Sequence, residues 1–177
     1  VVDVEPIGVD VDGAIRGREE GAVLIRIRRS GGGLLLLVGR RREDYRENTK
    51  GLLMVNTGDG KGKTTAAIGV MVRAAGRGMK CCMVQFMKSK SDRYGEHESL
   101  EQLGIEIHTM GAGFTWDTQN KTVDIKTSEE TWALCVEKLR SEDYELLVFD
   151  ELVYVLDYKF LDVKVVLDEI AAVRSKQ

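Results

Sequence analysis

Residues 57–65 read TGDGKGKTT and crowd glycine, lysine and threonine into nine positions. Glycines at 58, 60 and 62 let successive backbone N–H groups turn inward, which builds an anion nest at the start of a helix. Lys61 and Lys63 add positive charge, and the hydroxyl of Thr64 or Thr65 can hold a divalent cation. The usual phosphate loop, G-x-x-x-x-G-K-[ST], would place its first glycine at position 57. Thr57 stands there instead, and the nearest glycine is Gly58. Either this is a phosphate site of altered spacing or a flexible turn that imitates one. An apolar run before it and a small-residue helix after it favour the phosphate site.

A second stretch, VFDE at 148–151, ends in two acids. A carboxylate at the end of a neighbouring strand is where phosphate-loop proteins keep their metal-side acid. Adjacent residues on an extended segment point to opposite sides, so one of Asp150 and Glu151 faces the metal. A third stretch, GAGFTWDTQN at 111–120, sets two aromatics one residue apart among glycines and polar side chains. Phe114 and Trp116 offer flat apolar surface to a large planar ligand, or else anchor their own loop. Lys88 and Lys90 follow a strand end, within reach of phosphates or simply solvated. His97 reads as part of a solvated helix face, His108 as a structural histidine in a strand, and Trp132 as core.

These groups need a frame. Residues 52–57 are a buried strand running into the glycine loop, and the Ala- and Gly-rich segment 63–78 is a helix stopped by Gly76 or Gly78. Residues 80–86, 105–110 and 144–151 read as further strands. A helix is expected to open at Thr127, where Glu130 three residues on completes a capping box. Val163, Val166, Leu167, Ile170 and Val173 mark a last amphipathic helix capped by Asp162. Alternating strands and helices imply an α/β fold, a mainly parallel sheet with helices on both faces. Ligands in such sheets sit at the carboxyl ends of the strands, and there the loop, QFMKSK, TMGAGFTW and FDE converge.

The 177 residues allow one such domain, and a formal net charge of −3 gives no general case for nucleic acid or an anionic membrane. No apolar run approaches a membrane span. Cys81, Cys82 and Cys135 lack zinc-ligand spacing and are too few for a disulfide scaffold, so reduced thiols in a cytoplasmic protein are expected. Composition changes near Lys50: residues 1–50 carry nine Arg and one Lys, against five Arg and eleven Lys beyond. That divides the chain into an extension, 1–50, and a domain, 51–177. The extension is either a hairpin of GAVLIRIRR and GLLLLVG or a poorly ordered segment.

In order, TGDGKGKTTAA, VQFMK, GAGFTWDTQN and LVFDELVY resemble the phosphate-loop ATP:corrinoid adenosyltransferases of cobalamin biosynthesis and salvage. The resemblance covers residues 50–173 and implies a P-loop NTPase-like, RecA-like fold. It implies that reduced corrinoid, as Co(I), attacks the 5′ carbon of ATP and that triphosphate leaves. ATP is then the co-substrate, bound by Thr57, Gly58, Asp59, Gly60, Lys61, Gly62, Lys63, Thr64 and Thr65. Mg²⁺ or Mn²⁺ falls to Thr64 and Glu151, with Lys63 and Glu151 in the catalytic roles. Phe114 and Trp116 pack against the corrin. The implied partners are a flavoprotein reductant and a second copy of the chain, with neither nucleic acid nor membrane. Family members continue with a further strand, a glycine-containing turn and a C-terminal stretch, so this chain is expected to lack the C-terminal strand or strands. Family members also begin with a short polar or basic helical segment; residues 1–50 do not resemble it, and the resemblance leaves RREDYRENTKG as its expected remnant. Two rival readings remain, an ATPase or kinase cutting at the γ-phosphate and a non-catalytic nucleotide-binding fragment. Against the first, no Gln or Asp stands out to activate water or an acceptor.

Overall fold

The computed structural model describes residues 23–27, 52–56, 61–89, 91–111, 120–141 and 143–174. Among these residues five strands make one sheet: β1 (Val23–Ile27), β2 (Leu52–Asn56), β3 (Cys81–Ser89), β4 (Glu106–Gly111) and β5 (Leu146–Asp150). Their order across the sheet is β2-β1-β5-β3-β4. The expected parallel arrangement holds for β4, β3 and β5. β1 runs antiparallel to both β2 and β5 and lies between them.

Helices α1 (Lys63–Ala75), α2 (Gly95–Gln102), α3 (Lys121–Arg140), α4 (Leu152–Asp157) and α5 (Val163–Arg174) cover the sheet. Strand alternation divides the core in two. Cys81, Met83, Leu146 and Val148 face α1 and α2, meeting Ala67, Met71, Ala74 and Leu100. Cys82, Val84, Leu147 and Phe149 face the other way, against Trp132, Cys135 and Leu139 of α3 and Val166 and Ile170 of α5. Every residue of β5 is buried, as a strand covered on both faces requires. Trp132 is core as expected, set edge-on to Phe149 with ring centroids 6.1 Å apart.

Two local expectations meet different fates. Asp162 does cap α5, its Oδ1 accepting from the Lys164 N–H at 2.7 Å. The helix expected to open at Thr127 starts two turns earlier. Asn120 caps α3 by accepting from the Val123 N–H at 3.3 Å, and Thr127 is an interior residue whose carbonyl accepts from the Thr131 hydroxyl. The capping-box pattern is real in sequence, but a stronger cap upstream overrides it.

Gly62, the residue before α1, has φ +108°, a backbone conformation open to glycine and costly for other residues. Gly111 ends β4 where the β3–β4 pairing shifts register. A Cβ there would lie 2.4 Å from the Lys88 carbonyl oxygen and 2.5 Å from that of Phe86. The backbones of the two strands therefore touch where GAGFTW begins.

Candidate functional site

The carboxyl ends of β5 and β3 meet the N-terminus of α1 in a cluster of polar side chains. β5 ends at Asp150, fully buried on the same face as Leu146 and Val148. That face is covered by α1, and the Thr64 hydroxyl in its first turn donates to Asp150 Oδ1 at 2.9 Å. Gln85 of β3 is also fully buried, and its amide N–H donates to Asp150 Oδ2 at 3.1 Å. The Lys88 ammonium stands 3.6 Å from the same oxygen and is bound to Glu96 of α2.

Glu151 departs from the expected alternation of two extended acids. The strand stops at Asp150, and Glu151 turns into the left-handed region with φ 64°. A residue with a Cβ pays roughly 1–2 kcal/mol for that conformation. Its Oε2 is buried with no hydrogen-bond partner among the described residues. Burial, and next the charge of Asp150, push its carboxyl up to about 7, although Lys88 pulls the other way. An isolated carboxylate oxygen beside a second carboxylate is an unstable arrangement that a divalent cation would relieve. Hydroxyl and carboxylate oxygens are the donors Mg²⁺ takes, so Thr64, Asp150 and Glu151 fit such an ion.

Lys88 and Glu96 hold each other charged. Burial alone would lower the lysine, but its hydrogen bond to Glu96 and the charge of Asp150 raise it on balance. Burial would likewise raise Glu96, and the bond from Lys88 outweighs it, so the acid is lowered. The ammonium also lies over the Tyr94 ring, 5.2 Å from its centroid. Lys88 is thus neither solvated nor free.

His97 corrects the expectation of a solvated helix face. It is 5 % exposed, and its Nε2 lies 3.0 Å from Gln85 Oε1 and 2.7 Å from Thr109 Oγ1. Its helix is polar in sequence, which hid it. The usable signal was Gln85 itself, a polar residue inside the apolar strand CCMVQFM that had to find partners. His108 is half-exposed in β4 and pairs with Glu106 at 2.5 Å, as a structural histidine would.

Among the described residues, Cys82, Glu106 and His108 have ligand atoms within 4.8 Å of one another. The Lys138 ammonium already sits 2.9 Å from Glu106 Oε1, and burial, then Glu106, push the Cys82 thiol up to about 12. That trio is an internal ion-pair network with its cation in place. Cys81, Cys82 and Cys135 are buried free thiols.

Of the expected site residues, Thr64 and Glu151 border this cluster, Lys63 opens α1 half-buried, and Lys61, Gly62 and Thr65 are exposed at its start. Thr57, Gly58, Asp59, Gly60, Phe114 and Trp116 lie outside the described residues, as does Lys90. No described helix is long and apolar enough to cross a membrane.

A family model described as ATP:corrinoid adenosyltransferase BtuR/CobO/CobP matches residues 49–177. A corrinoid adenosyltransferase of Escherichia coli K12 is 41% identical over 115 residues, 65% of this chain and 58% of that protein. One from Pseudomonas aeruginosa is 39% identical over 125 residues, 70% of this chain and 61% of that protein. The corrinoid adenosyltransferase CobA of Salmonella typhimurium is 37% identical over 126 residues, 71% of this chain and 64% of that protein. The chain thus spans about three fifths of the length of these relatives.

Proposed function

The chain belongs to the ATP:corrinoid adenosyltransferase family, and from that membership we propose that it transfers the 5′-deoxyadenosyl group of ATP to the Co(I) centre of a reduced corrinoid. The cobalt electron pair forms the Co–C bond as the bond from the 5′ carbon to oxygen breaks, and triphosphate leaves with the two electrons of that C–O bond. The observation that carries this reading is the meeting of Thr64 with Asp150, beside the unpartnered oxygen of Glu151.

Co(I) is a strong nucleophile, so no general base is required. The chain's work is to stabilise the leaving triphosphate and to hold the 5′ carbon in line. Backbone N–H groups at the start of α1 would face the phosphates, with Lys63 beside them. Thr64, Asp150 and Glu151 would hold Mg²⁺, which when bound neutralises charge on the departing phosphates. Lys88, fixed by Glu96, keeps a second positive charge near Asp150. Residues 57–60 complete the ATP site, and Phe114 and Trp116 pack on the corrin and keep water or a lower ligand from cobalt. The reaction runs in the cytoplasm, with a flavoprotein as reductant and a second copy of the chain as partner.

The test is incubation with ATP, Mg²⁺ and chemically reduced cobalamin, following the corrin spectrum and identifying the phosphate product. Adenosylcobalamin with triphosphate is the expected result. ADP and phosphate would overturn it in favour of γ-phosphate cleavage, and ATP binding without product would assign a nucleotide-binding role alone.

A further inference from the structure

Asp150 is held from two sides, and only one of them is the phosphate-loop helix. On the other, Gln85 is fixed by a chain of hydrogen bonds that begins at the first turn of α2. The Tyr94 N–H donates to His97 Nδ1 at 2.8 Å. With Nδ1 occupied as an acceptor, the proton of the neutral ring is on Nε2. That N–H points at Gln85 Oε1, 3.0 Å away, and at Thr109 Oγ1, 2.7 Å away. The Thr109 hydroxyl donates to Gln85 Oε1 at 3.1 Å. With its oxygen so engaged, the Gln85 amide must present its NH₂ to Asp150, and it does so at 3.1 Å. A rotated amide would set oxygen against carboxylate and leave both histidine and threonine facing an N–H₂ group.

Gln85, His97 and Asp150 are buried, where unmatched polar groups are costly, so the chain has one satisfied arrangement. We propose that His97 is a positioning residue for the metal-side carboxylate: through Gln85 it sets the Asp150 oxygens that face Thr64 and the cation. The inference rests on the reading of Thr64, Asp150 and Glu151 as a Mg²⁺ site. It gives α2, a helix with no place in the phosphate loop, a part in metal-dependent nucleotide binding.

The experiment compares ATP dissociation constants by calorimetry with Mn²⁺ and with EDTA, in the parent chain and in His97→Asn and His97→Gln. Asparagine keeps an acceptor for the Tyr94 N–H but falls short of Gln85, whereas glutamine reaches Gln85 with an N–H. In His97→Asn the gain in ATP affinity from Mn²⁺ should shrink about tenfold, the scale of lost support behind a metal ligand. ATP affinity in EDTA should stay within about twofold, and His97→Gln should keep most of the Mn²⁺ effect. Equal losses in both variants, or none in His97→Asn, would overturn the proposal. If His97→Asn melts far below the parent, Thr109→Val decides. It removes only the hydroxyl, and a reduced Mn²⁺ effect supports the relay while an unchanged one overturns it. A parent chain whose ATP affinity ignores Mn²⁺ sinks the metal-site reading itself.

Discussion

The Thr64 hydroxyl donates to Asp150 Oδ1 at 2.9 Å, joining residues 86 apart in sequence. A hydrogen bond to a charged acceptor contributes about 1.5–3 kcal/mol. Thr64→Ala should therefore lower adenosyl transfer at limiting Mg²⁺ by roughly 10–100-fold, by that energy. Thr64→Ser, which keeps the oxygen, should stay near the parent. Initial rates across a Mg²⁺ titration distinguish them, and equal rates for the two variants would remove Thr64 from the metal side.

Glu151 combines a left-handed backbone with a buried, unpartnered carboxylate oxygen, and both features oppose folding. Asparagine tolerates that conformation and carries no charge. Glu151→Asn should raise stability by about 1 kcal/mol while transfer with Mg²⁺ falls sharply. Denaturant melts paired with turnover measurements check this. A variant both less stable and fully active would contradict the assigned role.

Gly111→Ala places a methyl group against backbone atoms of β3 on the strand that carries Gln85 and Lys88. Overpacking of that kind costs about 1–3 kcal/mol. The loss should appear in the denaturation midpoint, and an unchanged midpoint would mean the strands separate freely there.

Burial alone would raise the carboxyl of Glu106, but hydrogen bonds from Tyr144, Lys138 and His108 more than offset it and hold it down to about 2. Because the folded value lies below the ordinary one, the contribution is complete above the ordinary carboxylate range. It fades as pH falls from about 4.5, the ordinary value, toward 2. Solvent reaches this half-exposed group and weakens the effect. Relative to Glu106→Gln, the parent's melting temperature should lose its advantage between those pH values. A constant difference would deny the carboxylate any such part.

Burial first, and then Glu145, push the Cys81 thiol up to about 11; burial also raises Cys82 and Cys135. At pH 7.5 iodoacetamide should label none of the three in the native chain and all of them in denaturant. Rapid labelling of the native protein would show that these cores open readily.

Much of the positioning frame was legible because it is local. An apolar strand, glycines and Lys-Thr announce the start of α1, and an apolar run ending in two acids announces β5; the expected burial of the first strand fails, because β2 lies at the sheet's edge with Val55 44% exposed. What escaped depends on contacts between distant segments. His97 sits in GEHESLEQ, where its neighbours describe a solvated helix, and only the sheet brings it to Gln85. Asn120 was read as the end of an aromatic loop although it also caps α3, which displaced the helix start. The antiparallel course of β1 leaves no trace in periodicity, which reports faces and not partners.

That course fixes a dimension. Val23 pairs with Asn56 on one side and with Asp150 on the other, so the last residue of β2 and the acid lie level. Neighbouring strands are about 4.8 Å apart, which sets Asn56 and Asp150 roughly 10 Å from each other. β1 therefore sets the spacing between the ends of β2 and β5. A two-residue slip of β1 against one neighbour would keep its faces yet shift those two strand ends past each other by about 7 Å. The level of those two strand ends is thus written into the five residues of the strand between them.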